Sequence, residues 1–124
     1  MIAKISSSEN LAGALGYNFK KVVSGDASVL LAEGLYANPE GGYTMEEVLS
    51  DMQVAIPKKC RTKNVVFHCS LNPHPDEKLS DEQLTQIAQE YMQALGYGEQ
   101  PYIVFKHNDI EREHIHIVSL RVNS

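Results

Sequence analysis

The chain has little cysteine and no long apolar run. Cys60 and Cys69 are its only two thiols, spaced C-x8-C. That is neither a CxxC pair nor a disulfide framework, so a reducing, cytoplasmic setting is expected. The longest apolar stretches are a few residues, which excludes a transmembrane helix. No basic segment precedes an apolar one at the start, so no signal peptide is visible. There is also no internal repeat and no low-complexity tract. A surplus of positive charge is missing too: 11 Lys and Arg stand against 16 Asp and Glu, for a net −5. That balance argues against a generic nucleic-acid binder, but the acidity is local. Residues 1–70 hold seven cations and seven anions, whereas residues 71–124 hold four and nine. A basic surface on the first part stays allowed.

The chain nevertheless has the means to fold. Its 124 residues are one domain's worth, and 43% hydrophobic with 22% charged residues is ordinary for a globular domain. Ile2-Ala-Lys-Ile-Ser6 reads as a first strand. Ser6-x-x-Glu9 has the form of a capping box and predicts a helix start, with Leu11, Ala12, Leu15, Phe19 and Val22 on one face. Gly13 and Gly16 weaken that helix. Asn38-Pro39-Glu40-Gly41-Gly42 is a loop. Thr44 caps a second helix running to about Met52, with Glu46 and Glu47 in its first turn. Asn64 to Leu71 reads as a strand. Ser80-x-x-Gln83 is another capping box, followed by Leu84, Ile87, Ala88, Tyr91, Met92 and Leu95 at helical spacing and by Gly96 as a stop. Pro101 to His107 and His114 to Val122 are strands joined as a hairpin. This order predicts an α+β fold in which helices cover one face of an antiparallel sheet, a ferredoxin-like two-layer sandwich.

Three of the five histidines converge on the hairpin. His114 and His116 are two apart in a strand and share a face. A six-residue loop sets His107 opposite His114 and diagonal to His116, with Cβ separations of about 5 Å and about 7–8 Å respectively. Imidazole nitrogens bind metals at about 2.0–2.1 Å, so three such rings can meet one ion and leave positions open, as catalytic sites do. A single strand histidine is usually just a satisfied polar residue; three on one hairpin with Asp109 between them point to a metal.

These residues also carry a resemblance. His107-Asn-Asp109-Ile-Glu-Arg-Glu-His114-Ile-His116-Ile117 resembles the third motif of plasmid relaxases, the mobilisation nucleases of the His-hydrophobe-His endonuclease superfamily: His-x-Asp, four residues, then His-x-His and an apolar residue. Phe67 to Pro73, the helix from Ser80 to Leu95 and Pro101 to His107 are similar to the mobilisation-protein branch. The resemblance implies a sandwich of the relaxase type and a nickase and strand transferase. Such an enzyme cuts single-stranded DNA at a transfer origin of a plasmid or transposon through a 5′-phosphotyrosyl intermediate, with accessory mobilisation proteins as possible partners. It implies a divalent metal on His107, His114 and His116, with Mn or Mg in use and Zn, Ni or Co well suited to imidazoles. It gives Asp109 the task of orienting a ligand or holding the site. Relaxase domains run well past this motif, so residues 1–124 are expected to be a single domain truncated from a longer catalytic one.

The family places its nucleophile near the first helix, where Tyr17 stands. At about 100° per residue Tyr17 points nearly opposite Leu11, Leu15, Phe19 and Val22, away from the core face. Tyr91 lies on an apolar stripe, and Tyr36 and Tyr43 are reserve candidates. His68 faces away from Phe67, Cys69 and Leu71; it sits near the metal site, contacts phosphate, or is simply a hydrogen-bonded strand histidine. Lys58, Lys59, Arg61 and Lys63, with Lys20 and Lys21, are the best phosphate contacts the chain offers, and Arg112 and Arg121 are weaker ones. Two other functions fit the same residues: a non-catalytic metal-binding or partner-binding module, and a rolling-circle replication initiator of the same superfamily.

Overall fold

A computed structural model describes residues 2–35, 43–58, 60, 62–74, 76–108 and 113–121. Among these the chain runs β1 (Ile2–Ser8), α1 (Leu11–Val23), β2 (Ala27–Glu33), α2 (Met45–Ala55), β3 (Val66–Asn72), α3 (Asp81–Ala94), β4 (Tyr102–Asn108) and β5 (Glu113–Leu120). The five strands form one sheet in the order β1-β3-β5-β4-β2, antiparallel at every pairing. The α+β class with an antiparallel sheet is as expected.

The distribution of the helices corrects the expectation that they share one face. Successive strand residues point to opposite faces, and neighbours in sequence enter different cores. Val66, Ile103, Phe105, Val118 and Leu120 pack with Leu11, Leu15 and Phe19 of α1 and Val48 and Met52 of α2. Phe67, Cys69, Leu71, Val104, Ile115 and Ile117 pack with Leu84, Ala88 and Met92 of α3. Helices α1 and α2 therefore cover one face and α3 the other.

Strand β2 was not marked by the sequence pattern. Its register against β4 slips between Val29, opposite Phe105, and Leu31, opposite Val104. The extra residue at this bulge breaks the period-two alternation by which a strand is read. The first helix also starts later than Ser6-x-x-Glu9 suggests. Strand β1 pairs with β3 as far as Ser8 opposite Val66, which takes Ser6 into the sheet. The cap is Asn10, whose side chain accepts from the Gly13 amide at 2.8 Å. Space is short at one glycine of α1: a Cβ on Gly13 would collide with the Asn10 side chain, whereas one on Gly16 would stand 3.4 Å from Met45 Cε of α2, an ordinary packing contact.

The remaining punctuation is as expected. Thr44 caps α2. Ser80 and Gln83 form a complete capping box at α3, with bonds of 3.1 and 2.8 Å. Gly96 follows α3 at φ +84°, a conformation that favours glycine. Leu95 is more exposed than its place on the stripe implies, whereas Cys69 is fully buried.

Candidate active site

The site grows from the register of β4 and β5. His107 lies directly opposite His114, and His116 lies opposite Phe105. Parity puts all three histidines on the face covered by α1 and α2. Their rings form a cluster, with centroids 4.1 Å apart for His107 and His116, 4.8 Å for His114 and His116, and 5.3 Å for His107 and His114. One ligand atom from each lies within 4.8 Å of the others, so the three rings could hold a single ion.

His68 joins them from β3. It pairs with Val118, two residues from His116, on the same face. Its Nε2 is 3.0 Å from His116 Nδ1, and the two rings stack at 5.1 Å. Burial pushes the His68 pKa down. His116 is pushed down to about 3, by burial first and then by the neighbouring His107, His68 and His114. Two neutral rings share one N–H across that gap. His116 Nε2 is buried and has no hydrogen-bond partner. An orphaned imidazole nitrogen among other histidines, held neutral, is the donor a divalent cation takes. The residues therefore fit a metal.

Helix α1 lays two further side chains against the cluster. Tyr17, off the apolar stripe, is 54% exposed. Its ring stacks on His107 with centroids 6.1 Å apart and 19° between planes, and tilts toward His116 at 6.4 Å. The next residue, Asn18, is fully buried. Its Nδ2 donates to the Ala14 carbonyl at 2.8 Å, and its Oδ1 lies 2.7 Å from His107 Nε2. Asn18 was missed by the sequence reading, although its signal is present: it is the lone amide on the stripe of Leu11, Leu15 and Val22.

The cations are more dispersed. Lys20 and Lys21 occupy the last turn of α1. Lys58 and Lys63 are exposed in the connection from α2 to β3. Lys4, not singled out from the sequence, stands opposite Ser70, which in turn stands opposite His116. Directly paired residues share a face, so Lys4 lies in one row with the cluster. Lys106, on the α3 face, is held by Asp81 and by Glu113 at 3.4 Å. Asp109, Lys59, Arg61, Tyr36 and Arg112 lie outside the described residues.

No helix among the described residues is long and apolar enough to cross a membrane. No curated protein and no solved structure matches the chain. A family model does: the relaxase family, MobA/VirD2-like nuclease domain, over residues 17–124. That span begins at the tyrosine and includes all four clustered histidines. The chain belongs to the MobA/VirD2-like relaxase nuclease family.

Proposed function

We propose that this chain is the catalytic core of a metal-dependent relaxase, which nicks single-stranded DNA at a transfer origin and holds it covalently for mobilisation of a plasmid or transposon. The observation that carries the reading is the Tyr17 ring stacked on His107 of the histidine cluster, half exposed beside the residues fit for a metal. A phenol at that place meets a phosphodiester and the cation's ligands together.

His107, His114 and His116 would hold the cation, and His68 stands behind His116 through the bond between their rings. When bound, a divalent cation polarises the scissile phosphate and offsets its developing charge. Tyr17 Oη forms the new bond to phosphorus. The bond from phosphorus to the 3′ oxygen breaks, and that oxygen gains a proton as the phenol gives one up. The products are a 5′-phosphotyrosyl ester and a free 3′-OH. The ester conserves the energy for rejoining. Asp109 helps hold the site, as its place in the motif implies. Lys20, Lys21, Lys58, Lys59, Arg61 and Lys63, with Lys4 on the triad's face, supply phosphate contacts. Accessory mobilisation proteins and a cytoplasmic setting belong to the same reading.

The test is a metal-dependence assay on single-stranded transfer-origin oligonucleotides. A protein–DNA adduct that survives SDS, forms with Mn and is absent with EDTA is expected. Metal binding without any adduct favours the non-catalytic module instead.

A further inference from the structure

Lys4 stands at the far end of a row that begins in the histidine cluster. It pairs with Ser70, and Ser70 pairs with His116. Strands lie about 4.7–4.9 Å apart, so the Lys4 backbone is about 10 Å from that of His116, with Ser70 midway. The residues Ile2 to Ser7 of β1 are all exposed, so no helix roofs either face of this strand. The row therefore runs from the cluster to an open edge. The histidine face of β1, β3 and β5 carries no carboxylate, although the chain has a net charge of −5.

Two observations set the chemistry of the row. Lys4 has no ion pair among the described residues, in contrast to Lys106, which Asp81 and Glu113 hold. The Ser70 hydroxyl, in turn, is oriented by Asn72. The Ile2 carbonyl can only accept, so the Asn72 atom facing it at 3.3 Å is the NH2 group. The same group donates to Ser70 Oγ at 3.3 Å. The Ser70 hydrogen then points elsewhere, and it meets no acceptor among the described residues. Ser6, one row away, instead donates to the His68 carbonyl at 3.5 Å. An ammonium beside an unengaged O–H donor, on a surface free of carboxylates, suits a phosphodiester oxygen.

We propose that Lys4 and Ser70 form a second phosphate subsite, which takes a phosphate of the single strand flanking the one at the histidine cluster, Lys4 by charge and Ser70 by a hydroxyl that Asn72 orients. The inference rests on the DNA-cleaving reading above and adds the direction in which the strand leaves the site, across β3 and over β1.

The experiment titrates the full chain with a fluorescently labelled oligothymidylate strand at several salt concentrations. Lys4→Gln is expected to weaken binding about 3–10-fold and to lower the slope of log affinity against log salt by about 0.7, one phosphate contact's worth on a single strand. Lys4→Arg should restore both. Ser70→Ala is expected to weaken binding about threefold with the slope unchanged, because it removes a neutral donor. Lys78→Gln, an exposed lysine just ahead of α3, should leave affinity and slope as they are. Unchanged affinity and slope in Lys4→Gln overturn the proposal and leave the nuclease reading standing. If that variant self-associates while binding normally, Lys4 only guards an edge strand, and the proposal fails. An equal effect in Lys78→Gln overturns it too, by reducing Lys4 to general charge. A chain that binds no single strand sinks the nuclease reading and this inference with it. One readout needs no variant: the amide signals of Lys4, Ser70 and His116 should shift along one titration curve as the strand is added, and a still Lys4 and Ser70 would overturn the subsite even if a variant fails to fold.

Discussion

Tyr17 lies over His107 with the two rings 19° from parallel and their centroids 6.1 Å apart, although the residues belong to the first helix and the fourth strand. The stacking sets the phenol at the mouth of the histidine cluster without making it a ligand of that cluster. The two roles should therefore separate under mutation. Tyr17→Phe is expected to abolish the SDS-stable DNA adduct, a loss of at least about a thousandfold, as for other covalent nucleophiles. Its metal affinity should match the unsubstituted protein. Adduct formation by Tyr17→Phe assigns the nucleophile to another tyrosine.

Replacing one of the clustered histidines should have a different signature. His114→Ala is expected to weaken Mn or Zn binding by more than about 100-fold, beyond the range for losing a supporting partner, and to remove the adduct as well. Calorimetric titration checks the first and gel analysis the second. Unchanged metal affinity in His114→Ala removes His114 from the set.

Acid should destabilise the metal-free protein. His116 titrates at about 3 in the folded chain, chiefly because it is buried, whereas an ordinary unfolded histidine titrates near about 6.5. Between those values the unfolded chain binds a proton that the folded chain refuses. Stability is thus fully present above about pH 6.5 and falls as the pH drops toward 3. His68, also lowered by burial, adds to the slope in the same direction. One proton contributes at most about 1.4 kcal/mol per pH unit, less what residual solvent screens. Denaturant melts across this range should show the slope, and His116→Gln should flatten it.

The helix that carries Tyr17 and Asn18 is anchored by an aromatic pair. Phe19 meets the fully buried Phe105 edge to face, with centroids 5.1 Å apart. Phe105→Ala removes the floor of that contact and is expected to cost about 3–5 kcal/mol, read as a shift in the denaturation midpoint. A loss below about 1 kcal/mol would mean that the core collapses to fill the gap.

A control comes from the other face. Ser80→Ala breaks the capping box of α3 and is expected to cost about 1 kcal/mol of stability. Metal affinity should not move, because α3 packs on the face opposite the histidines.

Much of this architecture was legible in local chemistry. The α3 helix announces itself by Ser80, Gln83, a regular apolar stripe and Gly96, all short-range signals. The hairpin is equally local: a strand's period of two puts His114 and His116 on one face, and the short connection places His107 across from His114. Strand β2 escaped because its bulge breaks that same period. The first cap escaped because Ser6 and Glu9 form a valid box in isolation, while pairing with β3 claims Ser6 for the sheet.

What the sequence determined by itself, then, is the set of features that depend on neighbours a few residues away: the capped helices, the hairpin register and the shared face of its three histidines. The tertiary structure alone decided the rest of the site. Asn18 reaches His107 across 89 residues and His68 reaches His116 across 48, through a strand order that interleaves distant segments. It also sent α3 to the opposite face, which leaves the histidine face to α1 and α2. No local rule sets these outcomes, because each follows from which apolar stripe buries against which side of a completed sheet.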